Sequence, residues 1–328
     1  MSILRHLPWV ICFCLLATPW PAGAQQPEPT AEATAIGKIF DRLKSLVEPD
    51  VEQAYKPTFG ARSGQPVKEY IVGIHPLHNP KRLFEVYGPI LELIGGRIPY
   101  AEFKLEASRN YEEFDKKLYS GHFDLAMPNP YQTVNALQHG YRVFGKMADD
   151  QDFCGIILVR KDSGIRELTD LKGKSVAYPA KTALAATMLP QYYLQTHGLD
   201  VNADIENLYV GSQESSIMNV LLGKTAAGAT WPVPWKTFAA EHPEQAGQLE
   251  VKWRTQALQN NGWVARDDVA EELVNAFASG LFSLQDTEQG RKLLAAVPVS
   301  RFEPADAKTY APVEAFLQQF AATVRQPE

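Results

Sequence analysis

The chain has 328 residues, with 32 Lys and Arg against 38 Asp and Glu, a formal net charge of −6, three Cys and 45% hydrophobic residues. That length accommodates one large or two ordinary domains with real cores, and an ordinary content of charge, Gly and Pro excludes a disordered or collagen-like chain. The acidic balance excludes a general nucleic-acid binder, because phosphate backbones are held by surplus Lys and Arg, but it leaves room for a local basic pocket.

At the start of the chain, Arg5 and His6 precede an apolar run from Leu7 to Ala17, followed by Pro19, Pro21 and the small residues Ala22-Gly23-Ala24. These three parts predict a secretory signal over residues 1–24, cut after Ala24. The run of eleven residues is too short to span a bilayer, which needs roughly 20. Neither Cys12 nor Cys14 follows the small residues of a lipoprotein site. Cleavage leaves Cys154 alone, so no internal disulfide is expected, and the loss of Arg5 takes the net charge to −7. Residues 25–66 form a separate extension. In it Ile36, Ile39, Phe40, Leu43, Leu46 and Val47 recur at helical spacing until Pro49. This amphipathic helix is expected to dock on the main domain or on a partner.

From Lys68 onward, short apolar runs alternate with helical segments. Strands are expected at Tyr70 to Ile74, Phe123 to Met127, Gly155 to Val159, Ser175 to Tyr178, Ile205 to Val210, Ala226 to Thr230 and Gly262 to Ala265. Helices are expected at Lys81 to Ile94, Tyr111 to Tyr119, Thr182 to His197 and Ser215 to Leu222. The alternation is that of βαβ units, hence an α/β protein with helices on both faces of its sheets. Ligands in such sheets bind at the carboxyl ends of the strands. The loops of interest are therefore His75 to Pro80, Pro128 to Tyr131, Pro179 to Ala183, Gly211 to Glu214 and Trp231 to Trp235.

Enzyme motifs fail. Gly173-Lys174-Ser175 and Gly223-Lys224-Thr225 lack the earlier Gly of a phosphate-cradling P-loop, those positions being Leu168 and Met218. No dinucleotide fingerprint and no nucleophile elbow occurs. His75 and His78 lie in a Pro-flanked loop without the helix and Glu of a zinc hydrolase, so no metal site is expected there. Cys154 has no nearby His or Cys and reads as a small buried residue. No nucleophile, base and orienter assemble, and no enzyme activity or cofactor is expected.

The spacing of acids is more informative. Asp and Glu are absent from 70–84, 125–148, 171–199 and 215–240, a total of 94 residues in which about 11 would be expected at the chain average. Four of the five strand-end loops are acid-free, and the fifth has only Glu214. Such a cleft focuses a positive field and attracts an anion. The first turn of the helix expected near Thr182 reads Lys181-Thr182-Ala183-Leu184, without the Asp or Glu that usually meets free N–H groups. An external anion could take that role, held by the N–H groups of Thr182 and Ala183, the Thr182 hydroxyl and Lys181. Thr182 equally serves as an N-cap.

From about Tyr70 to Phe320 the chain resembles the periplasmic phosphate, phosphite and phosphonate substrate-binding proteins of ABC transporters. The likeness rests on Gly73-Ile74-His75-Pro76 with Tyr87-Gly88-Pro89, on Phe123-Asp124-Leu125-Ala126 running into Asn129-Pro130-Tyr131, and on Gly155 to Ser163. It continues in Leu168 to Lys174, Pro190 to Leu194 and Val210-Gly211-Ser212. The resemblance implies a two-lobed type II periplasmic binding protein fold, each lobe a mixed, mostly parallel sheet flanked by helices, joined by two hinge segments. Those are expected near Asp162 and Trp253, giving one lobe of 67–162 plus 254–328 and another of 163–253. The ligand is expected between the lobes, and the partner is a transporter permease. Thr182 matches the middle of the family's Ser-Thr-Ser turn, flanked here by Lys181 and Ala183, and Gln213 stands where the family commonly has a His. Tyr178, Asn129, Tyr131, His78, Trp231 and Asn260 complete the expected pocket, supplying donors and a stacking face. The resemblance implies a periplasmic monomer that captures a small oxyanion for transport. Alternatives are a receptor module that passes its bound state to a membrane kinase or chemoreceptor, and a binder of another organic anion such as a sulfonate.

Overall fold

The computed structural model describes residues 67–327. The expected signal at 1–24 and the extension at 25–66, with its helix from Ile36 to Val47, lie outside the described residues. Strand β1 (Lys68–Ile74) buries Val72, Gly73 and Ile74 in succession, as a strand covered on both faces must. It pairs in parallel with β2 (Ala101–Ala107) and β3 (Leu125–Met127). Helices α1 (Pro80–Gly95) and α2 (Tyr111–Tyr119) make the connections. Asn79 caps α1, accepting from Arg82 N at 3.0 Å, and Pro80 stands at its first position, where a missing N–H costs nothing. Helix α3 (Pro130–Ala136) follows β3 and is opened by a reciprocal capping box between Asn129 and Gln132. Strand β4 (Tyr141–Met147) ends the first pass of the chain through this half.

The chain then crosses to a second set of strands: β5 (Cys154–Arg160), β6 (Lys174–Tyr178), β7 (Ile205–Tyr209), β8 (Ala227–Thr230) and β9 (Leu249–Ala257). Helices α4 (Leu189–Thr196), α5 (Gln213–Leu221), α6 (Pro232–Glu241) and the short α7 (Pro243–Ala246) lie between them. It returns through β10 (Gly262–Arg266), α8 (Glu271–Phe282), α9 (Glu288–Ala296), β11 (Phe302–Pro304) and α10 (Ala311–Thr323). The first sheet runs β11-β4-β10-β3-β1-β2 and the second β7-β6-β8-β5-β9. Both are mixed and built alike. Each sets three parallel strands beside an antiparallel one, β10 or β5, that follows directly on a crossing from the other sheet. This is the two-sheet α/β architecture expected from the sequence.

The hinge positions differ from those expected. β5 pairs antiparallel with β9, Ile157 opposite Trp253, so both strands belong to the second sheet. The crossings therefore fall at 148–153 and 258–261 rather than at Asp162 and Trp253. The Lys161 to Gly164 segment reads like a linker only because β5 turns back there, Ser163 N donating to Arg160 O at 3.1 Å. The true crossings are short and tied together. Leu258 N donates to Phe153 O at 3.0 Å, Met147 N to Asn261 O at 2.9 Å, and Asn260 Nδ2 to Ala148 O at 2.8 Å.

β5 alternates as a buried central strand should. Cys154, Ile156 and Leu158 face Ile217, Val220 and Phe238 of α5 and α6. Ile157 and Val159 join the other face, in an apolar cluster continuous with Val72 and Ile74 of the first sheet. Cys154 is thus a buried core residue, its Sγ 3.2 Å from Arg254 Nη1.

Candidate functional site

Helical structure after β6 begins later than the sequence suggested. Residues Leu184–Met188 form one wide π-helical turn before α4, with Ala183 extended (φ −77°, ψ 98°) and no side-chain cap. Pro190 explains the widening, because its nitrogen cannot donate to the carbonyl four residues back. Gly155 on β5 lets this turn press against the sheet: a Cβ there would meet Ala185 O at 2.6 Å and Pro190 Cδ at 2.7 Å. The first N–H groups of a helix have no acceptor within it, so those of Leu184, Ala185 and Ala186 are available as donors.

These residues line a cavity of about 10 Å³ at the carboxyl ends of β1, β3 and β8. Its other walls are His75, Tyr111, Asn129, Gln213, Trp231 and Asn261, with Phe153 and Ala183 beside them. The space is that of about one water. Both crossings and both sheets contribute, so the cavity is the floor of the cleft between them.

Most of the polar walls are held in fixed orientation. Gln213 donates from Nε2 to the Tyr111 hydroxyl at 3.0 Å, and its Oε1 accepts from Thr230 Oγ1 at 2.8 Å. Burial raises the Tyr111 phenol far above its ordinary range, so it stays protonated and its own hydrogen remains for the cavity. Asn129 accepts from Gln132 N at 3.1 Å and donates to Thr182 O at 3.1 Å, which ties the first sheet to the turn before the helical start. Asn261 donates to Met147 Sδ at 3.4 Å and leaves its buried Oδ1 without a partner. His75 is the least engaged: both ring nitrogens are buried and unpartnered. Burial, reinforced by the neighbouring His78, depresses its pKa to about 3, so it is a neutral ring offering one donor and one acceptor. The walls are uncharged polar groups, donors and acceptors both, with the carboxylate of Asp115 behind Thr182.

A second pocket of about 230 Å³ shares Gln213 with the first. Its walls carry charge, with Lys81 and Arg82 from the α1 end facing Glu214 and Glu241 from α5 and α6, and His78 beside them. Arg82 Nη2 lies 3.7 Å from Glu241, and Asn79 Nδ2 donates to Glu214 at 3.5 Å. Burial, then the charge of Arg82, lowers the His78 pKa to about 4.

Of the ten residues singled out from sequence, Ala183, Asn129, Gln213 and Trp231 line the inner cavity. Trp231 packs against Phe153 of the first crossing, ring centroids 5.4 Å apart and planes tilted by 58°. His78 lines only the outer pocket. The Thr182 side chain turns to Asp115, with Oγ1 3.3 Å from Oδ2, and does not line either pocket. Lys181 is exposed beside it. Tyr178 is fully buried with an unpartnered hydroxyl outside both pockets, and Tyr131 lies half-buried on α3. Asn260 braces the crossing and leaves the cavity to its neighbour Asn261. His75, Tyr111, Phe153, Asn261 and Leu184 to Ala186 also line the inner cavity, and none of them is among those ten. His75 had a visible signal, being the first residue after the strand that ends at Ile74.

A family model for ABC transporter phosphonate periplasmic substrate-binding proteins matches residues 72–310. The chain belongs to that family. Among solved structures, a binding protein component of an ABC phosphonate transporter from Pseudomonas aeruginosa is similar with a TM-score of 0.72 and 18% identity, over 79% of this chain and 88% of that one. PhnD1 from Prochlorococcus marinus in complex with methylphosphonate gives a TM-score of 0.71 and 20% identity, over 77% and 98%. The alkanesulfonate-binding protein SsuA from Xanthomonas axonopodis bound to MOPS gives 0.59 and 17%, over 81% and 96%. At these identities the structural likenesses show the fold. Among the described residues no helix is long and apolar enough to cross a membrane.

Proposed function

We propose that this protein captures phosphate, phosphite or a phosphonate between its two sheets and delivers it to an ABC transporter, carrying out no chemistry on it. The observation that carries this reading is the inner cavity, where free helical N–H groups and the neutral donors His75, Tyr111, Asn129 and Gln213 converge from both sheets. Such donors stabilise an oxyanion without the desolvation that a buried cation would suffer. The methylphosphonate bound to PhnD1 supports a phosphonate, and the MOPS bound to SsuA makes a sulfonate the natural competitor. A space of about 10 Å³ is too small for a tetrahedral anion. Entry therefore requires the sheets to part about the crossings at 148–153 and 258–261, and capture closes them again. The protein acts as a periplasmic monomer released by cleavage after Ala24, which the mass of the exported chain tests directly. Calorimetric titration with phosphate, phosphite, methylphosphonate and an alkanesulfonate tests the ligand. Saturable one-to-one binding of a phosphorus oxyanion is expected, and no heat with any of them overturns the reading.

A further inference from the structure

Resting on that reading, one further group bears on which anions the cavity accepts. Asp115 lies one turn along α2 from Tyr111, so the two side chains share a helix face. Its carboxylate is mostly withdrawn from solvent behind the anion site. One oxygen accepts from Gln132 Nε2 of the α3 capping box, and the other accepts from Thr182 Oγ1 at 3.3 Å. Thr182 is in turn fixed by Asn129, whose Nδ2 donates to its carbonyl, and Asn129 lines the cavity. The acid is thus separated from the cavity by a single layer of side chains.

Its surroundings do not neutralise it. On α2 it faces Glu112, Tyr111 and Tyr119, and on α3 Gln132 and Tyr131. On the turn before the helical start it meets Thr182, with the exposed Lys181 next in sequence. Arg325, beyond that turn, donates to Lys181 O at 2.9 Å and to Gln191 at 3.2 Å. Among the described residues no Lys or Arg forms an ion pair with Asp115. Burial raises its pKa to about 6, opposed by the bonds from Gln132 and Thr182 and reinforced by Glu112.

We propose that Asp115 is a specificity-determining residue: ionised, it opposes an anion at the Leu184 to Ala186 backbone, and it takes up a proton when one binds, so that the site favours singly charged over doubly charged oxyanions. The proton comes from solvent on binding and returns to it on release. A bound negative charge stabilises the protonated acid, so the pKa in the complex lies above that of the free protein. Affinity is therefore full below the free-protein value and falls as pH rises between the two values, to a plateau where Asp115 is ionised in both states. A doubly charged ligand enlarges the gap and the fall.

The test is calorimetry of the intact protein and of Asp115→Asn with methylphosphonate and with inorganic phosphate, in buffers of different ionisation enthalpy, from pH 5.5 to 8. Asn keeps the size of the side chain and removes the proton site, and subtracting the two proteins cancels protons carried by the ligand. The wild type should take up a larger fraction of a proton, up to about one, and its affinity should fall with pH roughly tenfold more than the variant's for each pKa unit of gap. Equal proton uptake and parallel pH profiles overturn the inference while leaving anion capture standing. No heat with either anion, nor with phosphite, overturns anion capture itself and this inference with it. Should Asp115→Asn fail to fold, the ¹³C carboxyl titration of Asp115 in the wild type decides. Its midpoint should rise on adding methylphosphonate, and an unmoved midpoint refutes the assignment.

Discussion

The inner cavity and the outer pocket meet at Gln213 but are built on opposite principles. The inner one is small and lined by neutral groups, most of them held in place by other residues. The outer one, at about 230 Å³, is lined by charges that partly cancel across the cleft, Arg82 against Glu241, while the neutral Asn79 donates to Glu214. Fixed neutral donors suit recognition, because they need no reorganisation when the anion arrives. Loosely paired surface charges suit a mouth that opens and shuts, because each pair contributes little and is screened by salt.

This contrast can be broken most forcefully at Gly155. In Gly155→Val the added side chain collides with Ala185 O and Pro190, displacing the helical start. Binding should be abolished in calorimetry, and stability should fall by about 1–3 kcal/mol in thermal unfolding. Retained affinity would show that the Leu184 to Ala186 backbone is not the anion's seat. Tyr111→Phe removes one fixed donor and strips Gln213 Nε2 of its acceptor. A loss of about 1–2 kcal/mol, on the order of tenfold in Kd, is expected by titration.

The histidines sharpen the contrast through pH. The folded pKa values of His75 and His78, about 3 and about 4, lie below the 6.5 of an unfolded chain. The unfolded state binds more protons between those limits. The resulting stability is complete above about 6.5 and is lost as pH falls toward 4 for His78 and toward 3 for His75. Melting temperature should decline over that window, and the decline should flatten in a His75→Gln, His78→Gln double variant. The smallest effect belongs to the outer pocket. Arg82→Met removes the pair with Glu241 and should change affinity by less than about 1 kcal/mol, with the difference vanishing at high salt.

Much of the fold was legible because central strands such as β5 are apolar on both faces and stand out between Gly and Pro. The expected set lacks β2, β4, β9 and β11. β2 and β9 are edge strands whose polar alternation, as in Glu102, Lys104 and Glu106 of β2, blurs the apolar signal; β4 lies inside its sheet but carries Arg142 and Lys146, and β11 has only three residues. The family and the strand-end loops were readable from local motifs. The hinge was not, because membership of a sheet depends on pairing across the chain, and Ile157 against Trp253 leaves no local mark. At the site, the absence of acids from the loops was real, yet Asp115 approaches from a helix that no loop scan includes. Thr182 was read as a first-turn donor because its sequence resembles a cap. The π-helical start shifts the exposed N–H groups two residues on, an effect of Pro190 that only the packing against Gly155 reveals.

The order of strands also sets an order of assembly. The second sheet is one unbroken stretch of chain, from Cys154 to Ala257, whereas the first has β10 inserted between β3 and β4 and β11 added at its edge. A chain emerging from its N-terminus can complete the later half first. The earlier half stays open, with β3 and β4 unbridged, until β10 (Gly262–Arg266) arrives, and such long-range pairing is slow. The half that begins first is therefore the half that closes last.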